Sequence, residues 1–149
     1  MTRRDALAWL GRAAAAVAAT ELCGVHAHAA DNRGSVKIAD LISLKNEQAV
    51  MIANPELILA RTKSGLASFS VYCTHRRNKL DVEKDGSIFC AVHGSIFDSS
   101  GKPVSGPASR PLTWYLTSVD DDGAVSADSS KTVAYGEWAS LPAWAKPAR

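Results

Sequence analysis

The sequence has 149 residues, of which 46% are hydrophobic, and a formal net charge of +2. This length and composition suit one domain with an ordinary hydrophobic core. Residues 30 to 149 contain 14 Lys and Arg against 13 Asp and Glu. This part of the chain therefore lacks the basic surface field that nucleic-acid binding requires, and we expect no nucleic-acid partner.

The first 29 residues have the order of an export signal. Arg3 and Arg4 precede an apolar, Ala-rich run, and the segment ends at Ala27-His28-Ala29, a small-x-small cleavage sequence. The paired arginines resemble the twin-arginine (Tat) class of signal. We expect cleavage after Ala29 and a periplasmic location for the remaining chain.

The alternative for the same segment is a retained membrane anchor. Arg12, Glu21 and two histidines interrupt its apolar run. No continuous stretch of about 20 apolar residues remains, and that is the length needed to span a bilayer. We therefore expect contact with a membrane only if the signal is kept as an anchor. Cleavage would also remove Cys23, which we treat as a residue of the signal.

Short apolar or β-branched runs broken by turn residues follow residue 35. Such runs predict strands, which we place at 36–39, 49–52, 57–61, 67–72, 79–82, 87–89, 95–98 and 112–119. Turn signals occur at Ser64-Gly65, Asp85-Gly86 and residues 120–123. Sustained helical periodicity is absent from the sequence after residue 29. The pattern predicts an all-β fold.

Two short boxes each combine a thiol with an imidazole, Cys73-Thr74-His75 and Cys90-Ala91-Val92-His93. Without residues 1–29 they contain all the Cys and His of the sequence. The turn signal at Asp85-Gly86 allows the two boxes to face each other. Two Cys and two His predict a metal site. A disulfide between the two cysteines is the simpler alternative for an exported protein, but it explains neither histidine.

The boxes and their surroundings resemble a Rieske iron-sulfur protein. The matching pattern is C-x-H-x14-C-x-x-H, followed by the sequences at 94–98, 101, 106–107 and 110–112, within about residues 36 to 126. The resemblance implies an antiparallel β-sandwich with a small cluster-binding subdomain of hairpin loops at about 71–108. We place the Rieske domain at 30–130 and a C-terminal tail at 131–149.

The resemblance implies one 2Fe-2S cluster as the cofactor. Cys73 and Cys90 would bind its inner iron, and His75 and His93 would bind its outer, solvent-facing iron. A structural zinc site on the same four residues, in a binding module without redox activity, is the alternative. Zinc sites usually keep the thiols together and the imidazoles together, whereas the boxes here mix them.

Two further positions would contact the cluster if the resemblance holds. Ser95 stands where the family places a hydroxyl that bonds a bridging sulfur. Pro107 lies in a segment that resembles the family's third loop, which covers the cluster. Phe97 stands where the members of highest potential have a Tyr, and we expect it to be a core residue that supplies no hydroxyl.

Other positions depart from the family pattern. Asn78 and Val92 stand where cytochrome bc-type members have two more cysteines, which form a disulfide, so we expect a disulfide-free type. Arg76 and Arg77 follow the first histidine, where many relatives have an apolar residue and a Gly. Their charges would either raise the reduction potential of the cluster or serve as docking contacts.

The sequence therefore predicts a periplasmic electron-transfer protein that passes single electrons between an oxidoreductase and a carrier such as a c-type cytochrome. It would be either the small subunit of a larger redox enzyme, such as a molybdenum oxidase of the arsenite-oxidase type, or a bc-type or freestanding carrier. Rieske oxygenases need a second iron on two His and one carboxylate. Residues 30–149 have no further His for it, so we expect an electron-transfer subunit and not a self-sufficient enzyme.

Overall fold

The computed structural model describes residues 36–40, 44–45 and 48–146. They belong to one compact unit, Asp31–Arg149. The predicted export signal at 1–29 and its cleavage point lie outside the described residues. Within the described ranges there is no helix with the length and hydropathy needed to cross a bilayer.

Ten strands and one short 3-10 helix make up the regular structure of the described residues. The strands are β1 (Val36–Asp40), β2 (Gln48–Ala53), β3 (Glu56–Thr62), β4 (Gly65–Phe69), β5 (Asp81–Val82), β6 (Ile88–Cys90), β7 (Ser95–Phe97), β8 (Pro103–Ser105), β9 (Trp114–Val119) and β10 (Ala124–Val133). The 3-10 helix is Ala143–Ala145. This architecture confirms the predicted all-β class.

The strands form two sheets in which every pair is antiparallel. The larger sheet has the order β1-β10-β9-β4-β3-β2, and the smaller has the order β5-β6-β7-β8. The second predicted box begins at Cys90, the last residue of β6, and forms the turn to β7. In the sequence, the strands of the smaller sheet lie between β4 and β9. Both predicted boxes therefore lie where the chain leaves or re-enters these sheets.

Strand β3 shows how the sequence builds two hydrophobic cores. Successive side chains of a strand point to opposite faces, and most of β3 is buried on both. Ile58 and Ala60 lie in the first core, whereas Leu57 and Leu59 lie in the second. The first core also contains residues from the loops and from the smaller sheet: Cys73, Leu80, Ile88, Cys90 and Phe97. It therefore joins the two sheets beneath the predicted metal site.

The C-terminal segment packs against the domain. Leu66 and Ala139 exchange backbone hydrogen bonds of 3.1 and 2.8 Å, and the rings of Trp138 and Trp114 lie 4.7 Å apart in an edge-on contact. Strand β10 runs to Val133, so it crosses the boundary that we predicted between residues 130 and 131. The first residues of the predicted tail are thus part of the larger sheet.

Candidate metal centre

The first ligand loop begins just after β4. The predicted strand at 67–72 ends at Phe69, and Tyr72 and Lys79 then form an isolated bridge across the loop. The Cys73 amide donates to the Asn78 carbonyl at 2.8 Å, and the Arg77 amide donates to the Cys73 carbonyl at 2.8 Å. These bonds close a tight turn over residues 74–77. Its base is buried and its tip reaches the surface.

The second ligand loop joins β6 to β7. Cys90 pairs with Ser95 across the two strands, and the Gly94 amide donates to the Cys90 carbonyl at 2.9 Å. Gly94 has φ +72°, a left-handed conformation that glycine adopts without the steric cost of a Cβ. The turn leaves Cys90 buried and His93 exposed.

The two loops bring the four predicted ligands together with thiols inside and imidazoles outside. Cys73 and Cys90 are 1% and 0% exposed and share the first hydrophobic core. The rings of His75 and His93 lie 4.8 Å apart at 85° to each other, near the surface. Both cysteines are free thiols, so the alternative of a disulfide between them is wrong.

The donor arrangement fits a group with two metal ions. Nδ1 of His75 is buried and has no hydrogen-bond partner. A buried ring nitrogen without a partner is costly unless it binds something, such as a metal. The two thiols are buried and the two imidazoles are adjacent near the surface. Thiols at one depth and imidazoles at another suit a binuclear cluster with two thiolates on one iron and two imidazoles on the other.

A third loop, residues 106–111, closes against both ligand loops. The Ala108 amide donates to Oγ of Ser95 at 3.2 Å, and the hydroxyl of Thr74 donates to the Arg110 carbonyl at 2.7 Å. Gly106 lies so close to the second loop that a Cβ there would be 2.6 Å from the Gly94 carbonyl oxygen. Hydrogen bonds and close backbone contact therefore hold the three loops together.

The structure places the other predicted site residues at different depths. Ser95 is fully buried and accepts the Ala108 amide, which leaves its hydroxyl hydrogen free to donate. Pro107 is exposed and adjoins the close contact at Gly106. Phe97 is fully buried in the same core as both cysteines, as expected for a core residue. Thr74 was not among the predicted site residues, because its link to the third loop leaves no signal in a single sequence.

Comparison with known proteins decides the family. The model of the Rieske [2Fe-2S] domain matches residues 35–119 of this chain. The chain belongs to the Rieske [2Fe-2S] domain family. Its cofactor is accordingly one 2Fe-2S cluster, and the zinc-stabilised binding module is no longer needed to explain the four donors.

Curated relatives of this Rieske chain include subunits of two kinds of redox system. The cytochrome b6-f complex iron-sulfur subunit of Prochlorococcus marinus subsp. pastoris is 30% identical over 70% of this chain and 54% of its own length. The corresponding subunit of Chlorobaculum thiosulfatiphilum is 30% identical over 48% of this chain and 41% of its own length. A vanillate O-demethylase oxygenase subunit from Pseudomonas is 29% identical over 64% of this chain and 33% of its own length. The chain thus spans about half the length of these relatives or less.

Solved structures agree on the fold of the Rieske domain. The cyanobacterial plasma membrane Rieske protein from Synechocystis PCC 6803 is 24% identical with a TM-score of 0.50, over 62% of this chain and 97% of that one. A chain from the complex of reduced oxygenase and oxidized ferredoxin in carbazole 1,9a-dioxygenase matches with 21% identity and a TM-score of 0.52. The match covers 69% of this chain and 99% of that one. These likenesses confirm the predicted Rieske-type fold.

Proposed function

We propose that the protein is a periplasmic one-electron carrier whose cluster is held by Cys73, His75, Cys90 and His93. The observation that carries the proposal is the depth of these four residues. The cysteines are buried and the two imidazoles are adjacent at the surface, with His93 exposed. A bound 2Fe-2S cluster supplies a one-electron couple. Imidazole edges at the surface give a partner a short route to it.

The relatives support a carrier that works with a larger redox protein. The matching proteins include a subunit of the cytochrome b6-f complex and a ferredoxin in complex with an oxygenase. We propose for this chain the same class of partner, a larger oxidoreductase such as a molybdenum oxidase, together with a carrier such as a c-type cytochrome. Residues 30–149 offer two histidines in all, so we assign the chain electron transfer and no substrate conversion of its own.

We further assign the chain to the disulfide-free type. Val92, at one of the two positions where bc-type members have an additional cysteine, is 59% exposed. The links from Ser95 to Ala108 and from Thr74 to Arg110 connect the three loops here without any sulfur bond. Together with the close backbone contact at Gly106, they hold the three loops against one another.

The electron-transfer proposal is tested by redox titration of the purified protein. We expect a reversible one-electron couple within the range of Rieske centres, roughly −150 to +300 mV, and rapid oxidation of the reduced protein by a c-type cytochrome. Optical and paramagnetic resonance spectra of the same samples report the cluster. A protein that carries the cluster but has no reversible couple in this range would contradict the proposed function.

The potential is expected to rise when Phe97 is changed to Tyr. The new hydroxyl would lie in the core that contains both cysteines, and the Rieske resemblance implies that a Tyr hydroxyl at this position donates to a ligand sulfur. A hydrogen bond to a charged acceptor is worth about 1.5 to 3 kcal/mol, but only part of this differs between the redox states. We therefore expect an increase of some tens of millivolts by potentiometric titration. An unchanged or lower potential with an intact cluster would show that position 97 does not reach the cluster.

Export provides a separate prediction. A protein that receives its cluster in the cytoplasm must cross the membrane folded, which the twin-arginine route permits. Changing Arg3 and Arg4 to Lys keeps the charge and should leave loaded protein in the cytoplasm, as measured by fractionation and iron content. The change Arg12→Lys within the same segment is the matched control and should export normally. Normal periplasmic amounts of the double variant would argue for the general secretory route.

A further inference from the structure

A concave pocket of about 310 Å³ lies beside the first ligand loop. Its lining includes Cys73, His75 and Arg77 from that loop, Tyr72 before it and Arg110 from the third loop. No residue of the second ligand loop lines it. The pocket therefore lies on the side of the metal centre formed by the first and third loops.

The pocket has the chemistry of an anion site. Arg77 and Arg110 are both exposed, and no ion pair joins either one to a carboxylate in the described part of the chain. The guanidinium carbon of Arg77 lies 5.4 Å from the ring centre of Tyr72, which holds the side chain at the pocket wall. Thr74 fixes the backbone of Arg110 through their 2.7 Å hydrogen bond. Two arginines therefore line one concavity, and a guanidinium group binds the oxygen atoms of a carboxylate well.

The backbone of Arg77 gives a second argument. Its φ is 58°, and it is the one non-glycine residue with positive φ in the described ranges. A side chain with a Cβ is strained there, whereas glycine is not. Strained backbone conformations cluster at functional sites. An arginine where glycine would be unstrained therefore indicates a functional role for its side chain.

We propose that this pocket binds the carboxylate of an acidic side chain on the protein that docks at the two histidines. The proposal rests on the proposed electron-transfer function, since a redox partner must approach the surface that holds His75 and His93. His75 lines the pocket as well as the metal centre. An acidic group in the pocket would therefore hold the partner against the imidazole edge and fix its orientation there.

Calorimetric titration with a short peptide tests the pocket directly. The probe is acetylated and amidated Gly-Glu-Gly-Glu-Gly, at low ionic strength, with the Gln counterpart as the uncharged control. We expect Arg77→Gly and Arg110→Gln each to weaken binding of the Glu peptide by about tenfold, since each removes a charge-assisted contact. Arg77→Gly keeps a residue that tolerates the backbone conformation, so its unfolding temperature should stay close to that of the wild type.

Arg76→Gln is the matched variant, because Arg76 is exposed, adjacent in sequence and outside the pocket lining. It removes the same charge and should weaken binding by less than about twofold. Equal losses in Arg76→Gln and Arg77→Gly would show a general positive field and overturn the pocket. Equal binding of the Gln peptide would also overturn it. Tighter binding of free succinate than of the Glu peptide would assign the pocket to a small acid and overturn the docking role.

Oxidation of the reduced protein by tris(phenanthroline)cobalt(III) separates the two proposals. This small cationic oxidant needs no acidic anchor, and loss of a positive charge favours its approach, so Arg77→Gly should react at least as fast as the wild type. Failure of the wild type to react would refute the electron-transfer function, while the peptide titration would still decide the pocket. A slow reaction in Arg77→Gly alone would mean that the variant disturbs the histidines, and the pocket assignment would fall.

Discussion

Replacing His93 by Ala should abolish the native visible and paramagnetic signature of the cluster. On the proposed ligand assignment, the outer iron would lose one of its two imidazoles. The exposed position of His93 means that its removal leaves the hydrophobic core intact. We therefore expect a folded protein with a lowered iron content, measured by metal analysis and resonance spectroscopy.

The neighbouring change Val92→Ala is the matched control for His93→Ala. Val92 is 59% exposed in the same turn, and its side chain lies outside both hydrophobic cores. Its removal should leave iron content and spectra unchanged. If His93→Ala retained a Rieske-type reduced spectrum, the assignment of His93 as a ligand would be wrong.

The parts of the fold that the sequence predicted are those with strong local signals. Strand β3 is a run of apolar residues bounded by turns, and the Asp85-Gly86 turn lies between β5 and β6 as expected. The two boxes were found because they contain all the Cys and His after residue 29. Chemistry that depends on rare residue types at short spacings can be predicted without a structure.

Strand β10 could not be predicted because it lacks such a signal. Its second half, from Asp128 to Lys131, is polar, and its pairing with β9 shifts between Asp128 and Thr132. Asp128 is buried, and its carboxylate accepts bonds of 3.0 and 2.6 Å from the amide and hydroxyl of Ser130. The hydroxyl bond of Ser130 is the main reason that the pKa of Asp128 is lowered. A bulge stabilised by side chains hides the strand's alternation.

Strand β8 was missed for a different reason. It has three residues, starts at Pro103 and lies at the edge of the smaller sheet. Proline has no amide hydrogen for pairing, so it is tolerated at an edge but reads as a breaker in the sequence. Strand β8 is followed by Gly106, which contacts Gly94 in the second ligand loop. These residues are 12 positions apart in the sequence, so their contact depends on the tertiary fold.

Changing Gly106 to Ala should push the third loop away from the second ligand loop and so disrupt the metal site. The new Cβ would lie 2.6 Å from both the Gly94 carbonyl oxygen and the Ser95 Cα, and 2.8 Å from the Ser95 amide nitrogen. These are backbone atoms that cannot move aside cheaply, and φ is +84°. Steric overpacking and the left-handed strain together should cost about 2 to 4 kcal/mol in the free energy of unfolding. The third loop would have to move away, which would break the bond from Ala108 to Ser95.

The control for Gly106→Ala is Gly94→Ala, which separates strain from the clash. Gly94 also has positive φ, at +72°, but a Cβ there would meet no atom within 4 Å. We expect a loss of about 1 kcal/mol with the cluster retained, from denaturant unfolding and iron content. Gly106→Ala should lose much more stability and expose the cluster, seen as faster loss of visible absorbance in a chelator. Similar losses in both variants would mean that the third loop does not depend on this close contact, and that the hydrogen bonds alone hold it in place.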